Sequence, residues 1–198
     1  MYKVFAAVLS NLILILLCSC GESSSTAKER LLDSDPAQNT ASSTTWLMEL
    51  MEKEPLTEQG YLALVPENLQ GYPLQMKEPQ RGLNGFIAFY GNEQGHEHPG
   101  LKLEVIDGAG QVQFQHVNAV YKMLENVRSE SGDDFESQIK DYKGERILFV
   151  KKIKNKEENF QLEYLQNQRY HIGIIGNLVK PDVIYGAFEE LQSNQFPQ

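Results

Sequence analysis

The chain is 198 residues long, 41% apolar and 10% aromatic, which suits one globular domain with a real core and excludes a wholly disordered chain. Its 27 acidic side chains outnumber 18 basic ones, for a formal net charge of −9. That balance denies it the basic surface that nucleic acid or an anionic bilayer requires, so any hold on a membrane must come from something other than charge.

The first element is a leader. Lys3 supplies a positive start, and Val4 to Leu17 forms an apolar run broken only by Ser10 and Asn11. At about fourteen residues the run falls short of the roughly 20 that span a hydrocarbon core, and it fits the central region of an export signal. It ends at Leu17-Cys18-Ser19-Cys20, which holds both cysteines of the chain. This stretch resembles the lipobox of bacterial lipoproteins, where an aliphatic, a variable and a small residue precede a lipidated cysteine. The resemblance implies a signal peptide over residues 1–19, cleavage before Cys20, and diacylglyceryl attachment to the Cys20 thiol. Cys18 would be discarded with the signal, because as acceptor it would put Leu17 where a small side chain is expected. No cysteine would then remain for a disulfide, a redox pair or a zinc clip. Gly21, rather than Asp, follows Cys20, which implies the outer membrane as destination.

Residues 20–45 are rich in Ser, Thr, Ala, Asn and Gln, with little apolar content beyond Leu31 and Leu32. They read as a lipidated flexible tether, about 25–30 Å long in root-mean-square terms. A single domain is expected over residues 46–198. It opens on a short helix in TWLMELMEKE, capped by Thr44-Thr45 and closed by Pro55, with Trp46, Leu47, Leu50 and Met51 on one face.

Leu62 to Leu74 carries Pro66, Gly71 and Pro73 and reads as an ordered loop. GFIAFYG (Gly85 to Gly91) has strand length and composition. In LKLEVID, Leu101, Leu103 and Val105 alternate with Lys102, Glu104 and Ile106, and Asp107-Gly108 signals a turn. NAVYKMLENVR places Val120, Met123, Leu124 and Val127 at helical spacing. Three more alternating strands follow in KGERILFVKKI, ENFQLEYL and QRYHIGIIG, the first two joined by a charged tip at Lys154 to Glu158. A final helix begins at Pro181, with Val183, Ile184, Ala187, Phe188 and Leu191 as its apolar stripe. The expected class is α+β, an antiparallel sheet with packed helices, in the order loop-β-β-α-β-β-β-α.

Several stretches are similar to a family of uncharacterised exported bacterial proteins. They are Val65-Pro66-Glu67-Asn68-Leu69-Gln70-Gly71-Tyr72, Phe89-Tyr90, Val105 to Gly110, Lys140-Asp141-Tyr142-Lys143-Gly144, and Asn167-Gln168-Arg169-Tyr170. The likeness runs from about Leu64 to Leu191 and departs at Tyr72, where the family usually has Trp. The element order also resembles the sheet-and-helix fold of Mog1 and the photosystem II subunit P proteins. Those relatives are mostly binding or assembly factors, so the resemblance implies a role without catalytic residues.

The candidate metal ligands are His96 and His98 in Gly95-His96-Glu97-His98-Pro99, since alternate residues of an extended segment point the same way. His116 or Glu104 would have to complete such a site. Two histidines in a polar loop flanked by Gly and Pro are more often simply solvated. His171, between Tyr170 and Ile172, reads as a surface residue of its strand. The acidic cluster Glu130, Asp133, Asp134 and Glu136 lacks calcium-loop spacing and reads as a solvated loop. No nucleophile elbow, phosphate-binding loop or H-E-x-x-H is present, and nothing calls for a cofactor.

The sequence therefore leads to a lipid-anchored envelope protein that is a non-enzymatic binding or assembly module. Its expected partners are the membrane, through Cys20, and an envelope protein or small ligand. A metal-dependent or hydrolytic enzyme using His96, Glu97 and His98, and a purely structural envelope protein, are the alternatives.

Overall fold

The computed structural model describes residues 45–80, 82–91, 98–126, 129–154, 157–193 and 196–197, and the fold below is theirs. The leader, the tether and both cysteines lie outside them, as do His96 and Glu97. The chain is α+β. A short helix, α1, covers residues 45–52. It is followed by α2 (Glu58–Ala63), β1 (Asn68–Leu69), β2 (Tyr72–Pro79), β3 (Gly85–Gly91) and β4 (Gly100–Asp107). Helix α3 (Phe114–Asn126) then leads to β5 (Glu130–Ser131), β6 (Phe135–Tyr142), β7 (Glu145–Lys154), β8 (Glu157–Gln166), β9 (Tyr170–Asn177) and α4 (Pro181–Ser193).

All nine strands form one sheet in the order β1-β2-β3-β4-β9-β8-β7-β6-β5, and every neighbouring pair is antiparallel. The chain winds from one edge to the centre, crosses through α3 to the far edge, and winds back to the centre. At about 1.5 Å per residue α3 supplies roughly 20 Å of that crossing. β4 and β9 meet as the seam of the two meanders, with Leu103 opposite Ile174.

Period-2 alternation gives the sheet two different faces. On one face, Phe86, Ala88, Leu103, Val105, Ile147, Leu162, Tyr164, Ile172 and Ile174 join Ile184, Ala187, Phe188 and Leu191 of α4, and Tyr61 of α2, in the main core. On the other, Leu148 and Leu165 meet Val117, Val120 and Leu124 of α3 and Leu50 of α1 in a second, smaller cluster. Trp46 anchors α1 there through an edge-on contact with Tyr121, ring centroids 5.6 Å apart.

The strand order departs from the expected one. The anticipated loop over Leu62 to Leu74 is the end of α2, the hairpin β1–β2 and the turn between them. β2 (YPLQMKEP) and β6 (FESQIKDY) lie toward the sheet's two edges, and most of their side chains are partly or fully exposed. Neither carries the alternating apolar residues by which buried strands announce themselves, and Pro73 and Pro79 disguise the first further. The strands, the two longer helices and the α1 helix expected elsewhere are present, while Val127, Arg128, Asn155 and Lys156 of those expectations lie outside the described residues.

Candidate functional site

The stretches with the strongest sequence signature fall at structural joints. The Asp107-Gly108 turn and Asn167-Gln168-Arg169-Tyr170 meet at one end of the β4–β9 seam. There Arg169 Nε donates to Asp107 Oδ1 and Arg169 Nη2 to Asp107 Oδ2, both at 2.8 Å. Asp107 is fully buried and the Arg169 side chain is 7% exposed. The Ala109 amide donates to Oδ1 at 2.9 Å and the Leu56 amide to Oδ2 at 3.2 Å, while Arg169 Nη2 also reaches the Glu54 carbonyl at 3.3 Å. Glu54 and Leu56 belong to the link between α1, on one face, and α2, on the other. The ion pair thus clips the chain where it wraps around the end of the sheet, and both charges are satisfied as buried charges must be.

Of the remaining three, Phe89-Tyr90 lies within β3 and two dock on α4. Asn68-Leu69-Gln70-Gly71 turns through positive φ at Gln70 and Gly71, and Glu190 accepts from the Gln70 amide at 3.1 Å and from its Nε2 at 2.9 Å. In Lys140-Asp141-Tyr142-Lys143-Gly144 the Tyr142 hydroxyl donates to Glu189 at 2.7 Å, and Lys143 pairs with the same carboxylate at 2.7 Å. Lys140 lies over the rings of Tyr185 and Phe149, at 4.9 and 5.4 Å from their centroids. These residues hold the meanders to the helix, and none is left over for chemistry at a site.

Polar side chains that do not serve the frame gather on the other face. His116 of α3 and His171 of β9 face each other, Nε2 to Nδ1, at 2.9 Å. The second nitrogen of His171, Nε2, lies 3.4 Å from Glu163 Oε2, an electrostatic contact rather than a formed hydrogen bond. Gln161 donates to the other Glu163 oxygen. The side chains of His171 and Glu163 are only 15% and 19% exposed. Burial, then the neighbouring His171, holds the His116 imidazole below the ordinary histidine value, with Glu163 opposing. His171 is the chief cause that holds the Glu163 carboxyl below the usual carboxylate range, helped by Gln161 and Lys152 and opposed by burial.

His171 is therefore no surface residue. The alternation assigned it the correct face, but α3 closes over that part of the face and brings His116 to it. Its partner comes from 55 residues away in the chain, a pairing for which the sequence holds no local signal.

Next to this cluster the face stays open. Glu104, Gly173 and Glu163 stand side by side on β4, β9 and β8, and the missing side chain at Gly173 leaves a gap between two carboxylates. Lys102 pairs with Glu104 at 2.5 Å and lies 5.8 Å from the ring centroid of Phe89. Ile87, Phe89, Ile175 and Gln161 are partly exposed, and Met76 is 49% exposed. Apolar, aromatic, cationic and anionic side chains thus alternate over neighbouring strands, at the fixed spacing a sheet imposes.

Of the expected metal ligands His96 lies outside the described residues, and His98, His116 and Glu104 are not gathered around one point. His98 is exposed, and its carbonyl accepts from Asn177 Nδ2 at 3.1 Å, at the end of β4–β9 opposite the Asp107 end. His116 lies near the Asp107 end against His171, and Glu104 is held by Lys102, so neither stands with His98. Among the described residues no group of three or more His, Cys, Asp or Glu side chains is arranged to hold a metal. Glu130, Asp133, Asp134 and Glu136 are all exposed around the β5–β6 hairpin.

Comparison with protein-family models, with curated proteins and with solved structures gives no match. No described helix is long and apolar enough to cross a membrane.

Proposed function

We infer that this chain is a lipid-anchored protein of the bacterial envelope whose α+β domain works by binding, with its ligand carried on the open half of the sheet beside α3. The anchor is assigned to Cys20 from Leu17, Ser19 and the preceding apolar run, with the outer membrane as destination. The observation that carries the binding role is the division of labour between the faces. One face is filled by the main core, whereas on the other Met76, Phe89, Lys102, Ile175 and Gln161 are offered in register across five strands. A rigid sheet presenting mixed polar and apolar groups suits recognition of a protein segment or small ligand better than bond-making chemistry. The sheet clad by helices also supports assigning the domain the Mog1 and photosystem II subunit P type of fold.

Two measurements test this reading. Labelling with radioactive palmitate is expected to mark the wild type in outer-membrane fractions and to leave Cys20→Ala unlabelled. A photo-crosslinking residue at Phe89 or Ile175 should form discrete adducts in intact envelopes, and one at the exposed Asp182 of α4 should not. Label retained by Cys20→Ala would remove the anchor. Equal adducts from both faces would remove the binding surface.

A further inference from the structure

The His116–His171 contact holds one hydrogen between two facing nitrogens. Glu163, charged and nearest to His171 Nε2, fixes the tautomer that bears its proton there. His171 Nδ1 is then an acceptor, and His116 Nε2 is the donor across the 2.9 Å gap. One added proton, on either ring, still leaves a single hydrogen between the facing nitrogens and keeps this bond. With both rings protonated each facing nitrogen bears a hydrogen, and the two N–H groups meet head-on. At 2.9 Å two facing N–H groups do not fit, and the rings must part.

We propose that His116 and His171 form an acid-opened clasp between α3 and the sheet, which on full protonation frees the first half of α3 and bares apolar surface beside the open face. The residues uncovered would be Ile106 and Leu165, the cross-strand neighbours of His171, and Val117 of α3, which are at most 8% exposed in the closed form. The binding surface would thereby grow from a mixed polar row to one flanked by aliphatic side chains. The clasp stands on its own geometry and does not depend on what the open face binds.

Charges around the pair set when it opens. Glu163 and, through it, Lys152 act from β8 and β7. From β4, Glu104 reaches toward Gly173 with its charge balanced by Lys102. Asp107 and Arg169, at the ends of neighbouring strands, are committed to each other. The Glu163 carboxylate favours the first protonation and has no geometric remedy for the second. The depressed His116 value agrees in sign: the closed form prefers neutral imidazole, so acid works against it.

Amide hydrogen exchange of the full chain in detergent micelles, at pH 7.5 and 4.5 and corrected for intrinsic rates, tests the clasp. Residues 114–120 should lose about tenfold of their protection in acid while residues 181–193 keep theirs. His171→Gln should abolish the response. The clasp is refuted by unchanged protection of 114–120, by an equal loss in 181–193, or by a response that survives in His171→Gln. Should that variant fail to fold, imidazole ¹⁵N shifts of the wild type decide. Both imidazoles must become protonated over the same pH interval in which α3 loses protection, and full protonation of the pair without that loss refutes the clasp.

Discussion

The two faces of the sheet are built from the same nine strands and do different work. The α4 face is closed: Ile147, Leu162, Tyr164, Ile172, Ile174 and Phe188 have no exposed surface, and its aromatic rings pack against one another, as Tyr164 does edge-on with Phe188 at 4.7 Å. The α3 face is covered over β7 and β8 and left open over β3 and β4, and at the boundary lies a half-buried array of two imidazoles and a carboxylate. Stability resides where packing is complete, and adaptable chemistry where a helix stops short. A single sheet can hold both because alternation makes its faces independent.

Breaking the frame should have the largest effect. Asp107→Ala leaves Arg169 buried without its partner and is expected to cost about 3–5 kcal/mol. The Asp107→Ala/Arg169→Met pair should recover much of that loss, as urea unfolding would show. If the single variant costs no more than the pair, the ion pair is not the clip at the end of the sheet. The comparison sharpens with one substitution made on each face. Leu191→Ala, in the closed core, should lose about 4 kcal/mol, and Leu124→Ala, in the smaller cluster, about 2 kcal/mol. Equal losses would mean the two faces are packed alike.

A smaller effect is expected at Gly108. A β-carbon there would lie 2.4 Å from Val117 Cγ2 and 2.9 Å from the Arg169 carbonyl, so Gly108→Ala must push α3 away from the seam. Destabilisation of about 1–3 kcal/mol follows, with the loss of exchange protection concentrated in α3.

The smallest effects should come from pH, and they act on the faces from opposite ends of the scale. His116 is depressed in the fold, so its contribution is whole above 6.5 and fades as the pH falls below that value. Glu163, depressed from 4.5, adds a second loss at lower pH. On the α4 face burial raises the Tyr61, Tyr90 and Tyr164 hydroxyls and pushes Tyr170 up to about 12. Their contribution is whole below 10 and fades as the pH rises above it. The urea midpoint should therefore fall on both sides of neutrality, with His116→Gln removing the upper acid step and leaving the alkaline fall untouched.

Much of the frame was legible because burial writes itself into alternation. Leu101, Leu103 and Val105, and then Phe160, Leu162 and Tyr164, show their inward faces directly. β2 and β6 were not, because the sheet buries little of them. The pairing of Asp107 with Arg169 was not visible: Asp107 showed only as a turn signal and Arg169 only within a stretch similar to the exported family. Of the candidate cluster, Glu163 and His171 sat on readable strands, but their value depends on a helix residue that the topology brings across. His98 shows the converse: a residue made conspicuous by its spacing in the sequence is exposed and stands away from the cluster.

The central seam also dictates how this chain must fold. Each meander closes by short hairpins, so both halves can form from local contacts. Only β4 with β9 requires distant segments to find each other. At the end marked by Asp107 and Arg169 the two residues are 62 positions apart, whereas His98 and Asn177 at the other end are 79 apart. Loop-closure entropy grows with that separation, and long-range pairing is the slow step of β topologies. The seam should zip from the ion-pair end, so the latch that holds the finished sheet also marks where its two halves first join.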